Sequence, residues 1–304
     1  YFTATGRCAV KTQTGLVLAL KYHLSDNERL TEQMLRKLLR DNKNKLNTGF
    51  VGTPLLCNVL TEHGMTDLAY RLLLNEEYPG WLHEVKLGAT TVWERWNSLD
   101  ENGRISSTGM NSLNHYSYGA VLEWIFRHVA GIDVTEQGPG GKMMRISPKV
   151  DYKLGSASAV YDSASGCYRC GWQIANGDQI TVTVTVPFGA KAQVILPYAP
   201  DSVYHDTDNP LFETVENGIC CVKAGQYTVT YKAASPLKKS YSVDSTLEDL
   251  LAEPAIRAFL SNMMEVDMIP DLAYGLTLRQ AAEAFAGGVS AEQAQRLNAL
   301  LEEF

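Results

Sequence analysis

Long apolar runs are missing from this sequence. No stretch approaches the roughly 18 consecutive apolar residues that a bilayer-spanning helix needs, so no membrane partner is expected. Clustered cations are missing too. Lys and Arg number 27 against 34 Asp and Glu, a net charge of −7, and no basic stripe forms, which argues against a nucleic-acid partner. Cysteine is scarce: six in 304 residues are too few to frame a chain this long. The spacing Cys167-Tyr168-Arg169-Cys170 raises zinc, but its second half would have to be the adjacent Cys220-Cys221, and neighbours on a strand point to opposite faces. No metal and no cofactor is therefore expected. Buried free thiols suit a reducing, cytoplasmic setting, with secretion left open because any signal would lie upstream of Tyr1. The start, Tyr1-Phe2-Thr3-Ala4-Thr5-Gly6-Arg7, has neither an initiator methionine nor a signal peptide and reads as the interior of a longer protein or a cut edge.

What is present is an ordinary globular composition, 45% apolar and 20% charged, with length enough for two domains or one with appendages. From about Val10 to Ala130 the pattern is helical. Lys11–Leu24 predicts a compact apolar helix. Asp26 is the expected cap of the next, whose stripe is Leu30, Met34, Leu35, Leu38 and Leu39. Leu55, Leu56, Val59 and Leu60 mark a third helix, ended near Gly64. Leu68, Leu72 and Leu73 mark a fourth, ended by Tyr78-Pro79-Gly80, and Trp81–Lys86 a short fifth. After a polar loop from Asn97 to Asn111, a last helix is expected over Leu113–Val129. His115 would open it and share a stripe with Tyr118, Leu122 and Phe126, which on spacing alone is the pattern of a core histidine.

After Gly131 the period changes to two. Ile180, Val182, Val184 and Val186 alternate with Thr181, Thr183 and Thr185, a strand with one apolar face. Asn176-Gly177 and Asn217-Gly218 predict hairpin turns, and seven or eight short strands in all suggest an antiparallel sandwich. From Ser240 the pattern is helical again. Ser245 with Glu248 fits a capping box, and Thr277 and Ser290 are candidate caps of two later helices, Leu278–Phe285 and Ser290–Leu301.

The stretch with chemistry in it is Gly88-Ala89-Thr90-Thr91-Val92-Trp93-Glu94-Arg95-Trp96-Asn97. A carboxylate between indoles is one way to build a sugar site, because the ring covers the apolar face of the sugar while the acid moves protons. The same tetrapeptide also suits a Glu94–Arg95 pair with two core tryptophans. Trp81, Trp93 and Trp96 are candidate sugar platforms, Trp81 the most exposed of them by its place after a Pro-Gly turn.

With Thr48-Gly49-Phe50-Val51-Gly52-Thr53 and Leu72–Trp81 before it and Asn114-His115-Tyr116-Ser117-Tyr118-Gly119 after it, this stretch resembles the bacterial α-L-rhamnosidases. These are inverting glycoside hydrolases of family 78 on an (α/α)6 barrel. The resemblance covers roughly the first 130 residues and continues, with weaker motifs, into a β-domain that follows the barrel in that family. It implies that Glu94 is the general base and that His115 contacts the sugar. It also implies a general acid in an acidic motif upstream of Tyr1. Asp41, Glu62, Asp67, Glu76, Glu77, Glu84 and Asp100 are the acids present that could take that role, and none stands in the Asp/Trp-rich setting the family uses.

The expectation is a multidomain α and β chain: residues 1–132 as the C-terminal half of an (α/α)6 toroid, 133–238 as an antiparallel β-sandwich and 239–304 as a small helical appendage. Half a toroid would expose a broad apolar face, so the missing half or a partner chain is expected to cover it. The expected function is hydrolysis of terminal α-L-rhamnose from a rhamnose-containing glycoside or polysaccharide. A non-catalytic carbohydrate-binding protein is the alternative.

Overall fold

The computed structural model describes residues 1–304 except Glu101, Ser107, Thr108, Gln137, Thr207 and Glu303. The described residues form two compact units, one of Tyr1–Leu39 with Lys45–Lys238, the other of Arg40–Asn44 with Lys239–Phe304.

The first unit begins with α1 (Gln13–Lys21), capped by Thr12, whose hydroxyl accepts from the Gly15 amide. In α2 (Glu28–Asp41) the fully buried positions are Thr31, Leu35 and Leu39, four apart, with Leu30, Met34 and Leu38 half-buried beside them. The cap is Asn27, not Asp26: its Oδ1 accepts from Leu30 N at 3.1 Å, because the capping side chain must precede the first helical residue directly. α3 (Thr53–Glu62), α4 (Thr66–Leu73) and α5 (Trp81–Lys86) follow.

The expected last helix is shorter and irregular. A 3₁₀ turn over Ser117–Ala120 leads into α6 (Val121–Trp124), and Ile125–Val129 continues as a π turn. Its buried side chains are Ser117, Tyr118, Val121, Trp124 and Val129, whereas Leu122 and Phe126 are exposed. His115 therefore lies in the loop before the helix, and the stripe expected through Leu122 and Phe126 does not form. The 3₁₀ and π turns change the residue period, so spacing counted at 3.6 selects the wrong face.

Among the described residues the strands are β1 (Ile132–Val134), β2 (Met143–Ile146), β3 (Ser156–Ser163), β4 (Gly166–Ala175), β5 (Gln179–Val186), β6 (Lys191–Ile195), β7 (Val215–Glu216), β8 (Ile219–Val222) and β9 (Gly225–Lys232). They form a five-stranded sheet, β1-β2-β6-β8-β7, and a four-stranded sheet, β3-β4-β5-β9. Pairing is antiparallel except between β2 and β6, which run parallel. Both Asn-Gly turns occur, with Asn176 at φ 52° and Asn217 at φ 50°, the left-handed conformation that tight hairpins favour. On β5, Ile180, Val182, Val184 and Val186 are buried and the threonines between them face outward. Thr181 bonds Thr230 of β9 on that outer face at 2.9 Å.

The helices and both sheets share one hydrophobic core. The Trp172 indole of β4 donates to Val129 O at 2.7 Å, and Tyr70 of α4 donates to Lys149 O. Tyr168 crosses between the sheets, donating to Gly141 O at 2.7 Å and lying 3.0 Å from Lys191 O. The helical and β parts of the first unit are thus packed against each other. All six cysteines are free, and the adjacent Cys220 and Cys221 are buried and exposed respectively, as strand alternation requires.

The second unit has its own core around Val243, Leu250, Ile256, Leu260 and Leu301. α7 (Leu247–Ala252) and α8 (Pro254–Ser261) are followed by α9 (Leu278–Phe285) and α10 (Ala291–Leu301). Thr277 and Ser290 each complete a capping box, with Gln280 and Gln293. The cap of α7 is Thr246, which accepts from Asp249 N, rather than Ser245. Ser245 is taken up by a turn in which its hydroxyl accepts from Ser242 N at 3.0 Å. An isolated antiparallel bridge joins Thr246 to Thr277, so the caps of α7 and α9 lie back to back. No helix among the described residues is long and apolar enough to cross a membrane.

Candidate active site

The site is built where α5 ends. Gly88 stops the helix at φ 85°, its N–H donating to Val85 O at 2.9 Å while Ala89 N donates to Glu84 O at 3.0 Å. This pair of bonds reverses the chain, and the segment from Thr90 to Asn97 runs back past the helix. It is held by the loop that carries His115: Glu94 N donates to Ser112 O at 2.9 Å and His115 N to Val92 O at 2.8 Å. The Thr91 hydroxyl donates to Leu113 O. Glu94 and His115 thus ride on two hydrogen-bonded segments 21 positions apart in sequence.

A third segment, the loop before α3, is tied down at both ends. Gln13 of α1 donates to Lys45 O at 2.9 Å and accepts from Asn47 N at 2.8 Å. Thr48 shares a hydroxyl bond with Thr53 at 2.8 Å, and its carbonyl accepts the Trp96 indole N–H at 3.3 Å. This loop presents Phe50, whose ring stacks on His115 with centroids 4.9 Å apart and planes 15° apart. Tyr116 stacks on His115 from the loop itself, at 5.4 Å and 10°. His115 Nδ1 accepts from Ser117 N at 3.3 Å, which leaves Nε2 as the donating nitrogen of the neutral ring. A half-buried imidazole between two exposed aromatic rings, with one N–H to give, can bond a hydroxyl while the rings cover C–H groups.

Glu94 is 9% exposed. Trp93 and Trp96 are buried at 2% and 8%. The Trp96 indole stacks on Tyr118, 4.0 Å apart and nearly parallel at 3°, and meets Trp81 edge-on at 5.4 Å. Neither Trp93 nor Trp96 offers the open ring face expected of a sugar platform; both are buried. Trp81 is half-buried, the most exposed of the three, and its Nε1 donates to Tyr118 O at 3.0 Å.

Glu84, one of seven acids considered in the sequence and assigned no role there, stands apart in the structure. It is 3% exposed, and burial pushes its carboxyl up to about 7, the nearby Trp93 amide opposing this only in part. Its Oε1 has no hydrogen-bond partner among the described residues. The available signal was its position three residues after Trp81 on one short helix, the spacing that puts both on one face. The Tyr118 phenol is raised first by burial, then by Glu84 and Tyr78; Arg95 opposes this and Glu94 adds to it. Other acids weighed in the sequence serve exposed or half-exposed pairs, Glu62 with Lys21 at 3.1 Å and Glu77 with Lys45 at 2.7 Å.

Two family models match consecutive parts of this chain: the bacterial alpha-L-rhamnosidase 6 hairpin glycosidase domain over residues 1–129 and the bacterial alpha-L-rhamnosidase C-terminal domain over residues 131–209. An alpha-L-rhamnosidase from Alteromonas sp. is 39% identical over 221 residues, 71% of this chain and 23% of the relative. One from Formosa agariphila is 39% identical over 208 residues, 68% of this chain and 22% of the relative. Among solved structures, the Streptomyces avermitilis alpha-L-rhamnosidase complexed with L-rhamnose superposes with a TM-score of 0.69 at 33% identity, over 76% of this chain and 22% of that one. The chain spans under a quarter of the length of these relatives. On two consecutive domain models, matching relatives and a shared fold, the chain belongs to the bacterial α-L-rhamnosidase family.

Proposed function

We propose that the protein carrying this chain hydrolyses α-L-rhamnosides with inversion, and that Glu94 is the general base. The observation that carries this reading is a single carboxylate, Glu94, held by Ser112 beside the Phe50–His115–Tyr116 stack. An inverting hydrolase needs one carboxylate to take a proton from water and a second carboxyl, about 6.5–9.5 Å away, to protonate the leaving oxygen. In this reading Glu94 does the first task and His115 Nε2 bonds a sugar hydroxyl. Trp81 borders the cleft, and the acid comes from outside these residues. Residues 1–132 are read as the C-terminal part of the hairpin barrel, 133–238 as its sandwich and 239–304 as an appendage. The rest of the barrel would cover the exposed apolar side chains of the helical part. The neighbour solved with L-rhamnose supports the substrate class.

Glu94→Gln tests the reading in the full-length enzyme. Glutamine keeps the shape but takes no proton, so turnover should fall by about 10²-fold or more while rhamnose still binds. Azide, which needs no base, should restore a glycosyl azide of inverted configuration. Wild-type turnover in that variant ends the proposal. Rhamnose binding with no hydrolysis by the wild-type enzyme would favour the carbohydrate-binding alternative instead.

A further inference from the structure

We propose that a cleft beside the π turn binds one neutral sugar ring, at a place that shares no lining residue with the segments carrying Glu94, His115 and Phe50. The cleft has a volume of about 420 Å³, within the range of small-molecule sites. It opens where the last helix of the helical part meets both sheets. Phe126 and Arg127 come from the π turn, Ile132 and Asp133 from β1, Met144 from β2 and Tyr161 from β3. Ile132 and Met144 are buried and give the cleft an apolar interior, while the rings of Phe126 and Tyr161 are exposed.

The π turn is why Phe126 and Arg127 reach this cleft. Ala130 N donates to Ile125 O at 2.8 Å, a bond spanning five residues where a regular helix spans four. The widened turn shifts the residue period, and Phe126 stands exposed at the cleft instead of in the core. Turns of this kind recur at functional sites.

The polar side of the cleft is one ion cluster. Arg127 Nε donates to Asp133 Oδ1 at 3.0 Å and Nη2 to Oδ2 at 3.4 Å, while Nη1 donates to Glu123 Oε1 at 3.0 Å. Two carboxylates thus hold one guanidinium in place, and all three groups line the cleft. The guanidinium has more N–H groups than these bonds use, and the carboxylate oxygens keep lone pairs. Donors and acceptors therefore stand side by side in a fixed frame. Neighbouring hydroxyls of a sugar match that frame, because each both gives and takes a hydrogen bond. With two carboxylates to one cation, an anionic ligand would be repelled. A wholly apolar ligand would leave the donors and acceptors unpaired. The aromatic rings serve the other side of a sugar, since a ring face covers its C–H groups.

The test follows methyl-labelled methionine in this chain by NMR. Of eight methionines, Met144 lines the cleft, and its signal is assigned with Met144→Leu. Methyl α-L-rhamnoside, methyl α-D-glucoside and methyl β-D-galactoside are titrated separately. At least one should shift the Met144 methyl saturably in the millimolar range, while Met65, buried in the core and no part of the cleft lining, stays unmoved. Phe126→Ala and Tyr161→Ala, both at exposed positions, should each weaken that binding about threefold or more. Arg127→Lys, which keeps the charge and loses the planar fork, should weaken it as well. Phe188→Ala, exposed and outside the cleft, should leave the affinity unchanged. A wild-type Met144 signal indifferent to all the glycosides overturns the proposal. So does a shift whose affinity is unaltered in both Phe126→Ala and Tyr161→Ala, or one weakened equally by Phe188→Ala. Glu94 does not line the cleft, so failure of the Glu94→Gln test leaves this result standing.

Discussion

Glu84 and His128 are buried ionisable side chains that bias stability with pH in opposite directions. Glu84 is raised by burial from 4.5 to about 7. The folded state therefore binds its proton more tightly, and this contribution is present at low pH and lost as pH rises through 4.5 to 7. His128 is lowered from 6.5 to about 4, by burial first and then by the neighbouring Arg127. The unfolded state binds that proton more tightly, so stability is lost as pH falls from 6.5 towards 4. Melting temperatures measured across this range should separate the two. The Tm of Glu84→Gln relative to wild type should climb between pH 4.5 and 7, and that of His128→Gln should climb as pH drops below 6.5. Differences independent of pH would refute both assignments. The sequence named Glu84 among several acids without singling it out, because nothing in Trp81–Lys86 says how deeply a six-residue helix is packed. Glu94 was legible because its flanking residues match a family motif.

Among the elements, the reversal after α5 decides where the site residues sit. Gly88 has φ 85°, yet a Cβ built there meets nothing within 4 Å, so Gly88→Ala tests backbone conformation without a steric clash. Urea unfolding should show a loss of about 1–2 kcal/mol, the cost of a left-handed non-glycine residue. Gly49, equally open but without positive φ, is the control, and Gly49→Ala should cost nothing measurable. Equal effects in the two variants would remove the conformational argument. Element identity was largely legible: β5, with its alternating valines and threonines, and α9 and α10, with their Thr277 and Ser290 caps, lie where their patterns put them. Caps one residue away were not, because Asn27 and Thr246 displace Asp26 and Ser245 through local turns that composition does not reveal. The parallel β2–β6 pairing is also invisible to alternation, which fixes a strand's faces and not its neighbours.

At the scale of the molecule, the helical part carries exposed large apolar side chains such as Val51, Val85, Ile105, Met110 and Leu122. Under the proposal that the acid lies outside these residues, the isolated chain should hydrolyse aryl rhamnosides poorly, short of an intact enzyme by about 10²–10⁴-fold. A steady-state assay with full turnover would show that an acid is present within it. By itself the sequence determined the order of helix, sheet and helix, the hairpin turns, the family and the segment bearing Glu94. These are local patterns or motifs whose period and spacing survive in one dimension. Tertiary structure alone decided that the helices and sheets share one core, that Trp93 and Trp96 are buried, and that His115 stands in a loop stacked with Phe50 and Tyr116. It alone buried Glu84. Each of these depends on which distant segments a side chain meets, and burial, stacking and desolvation exist only once those segments have been brought together.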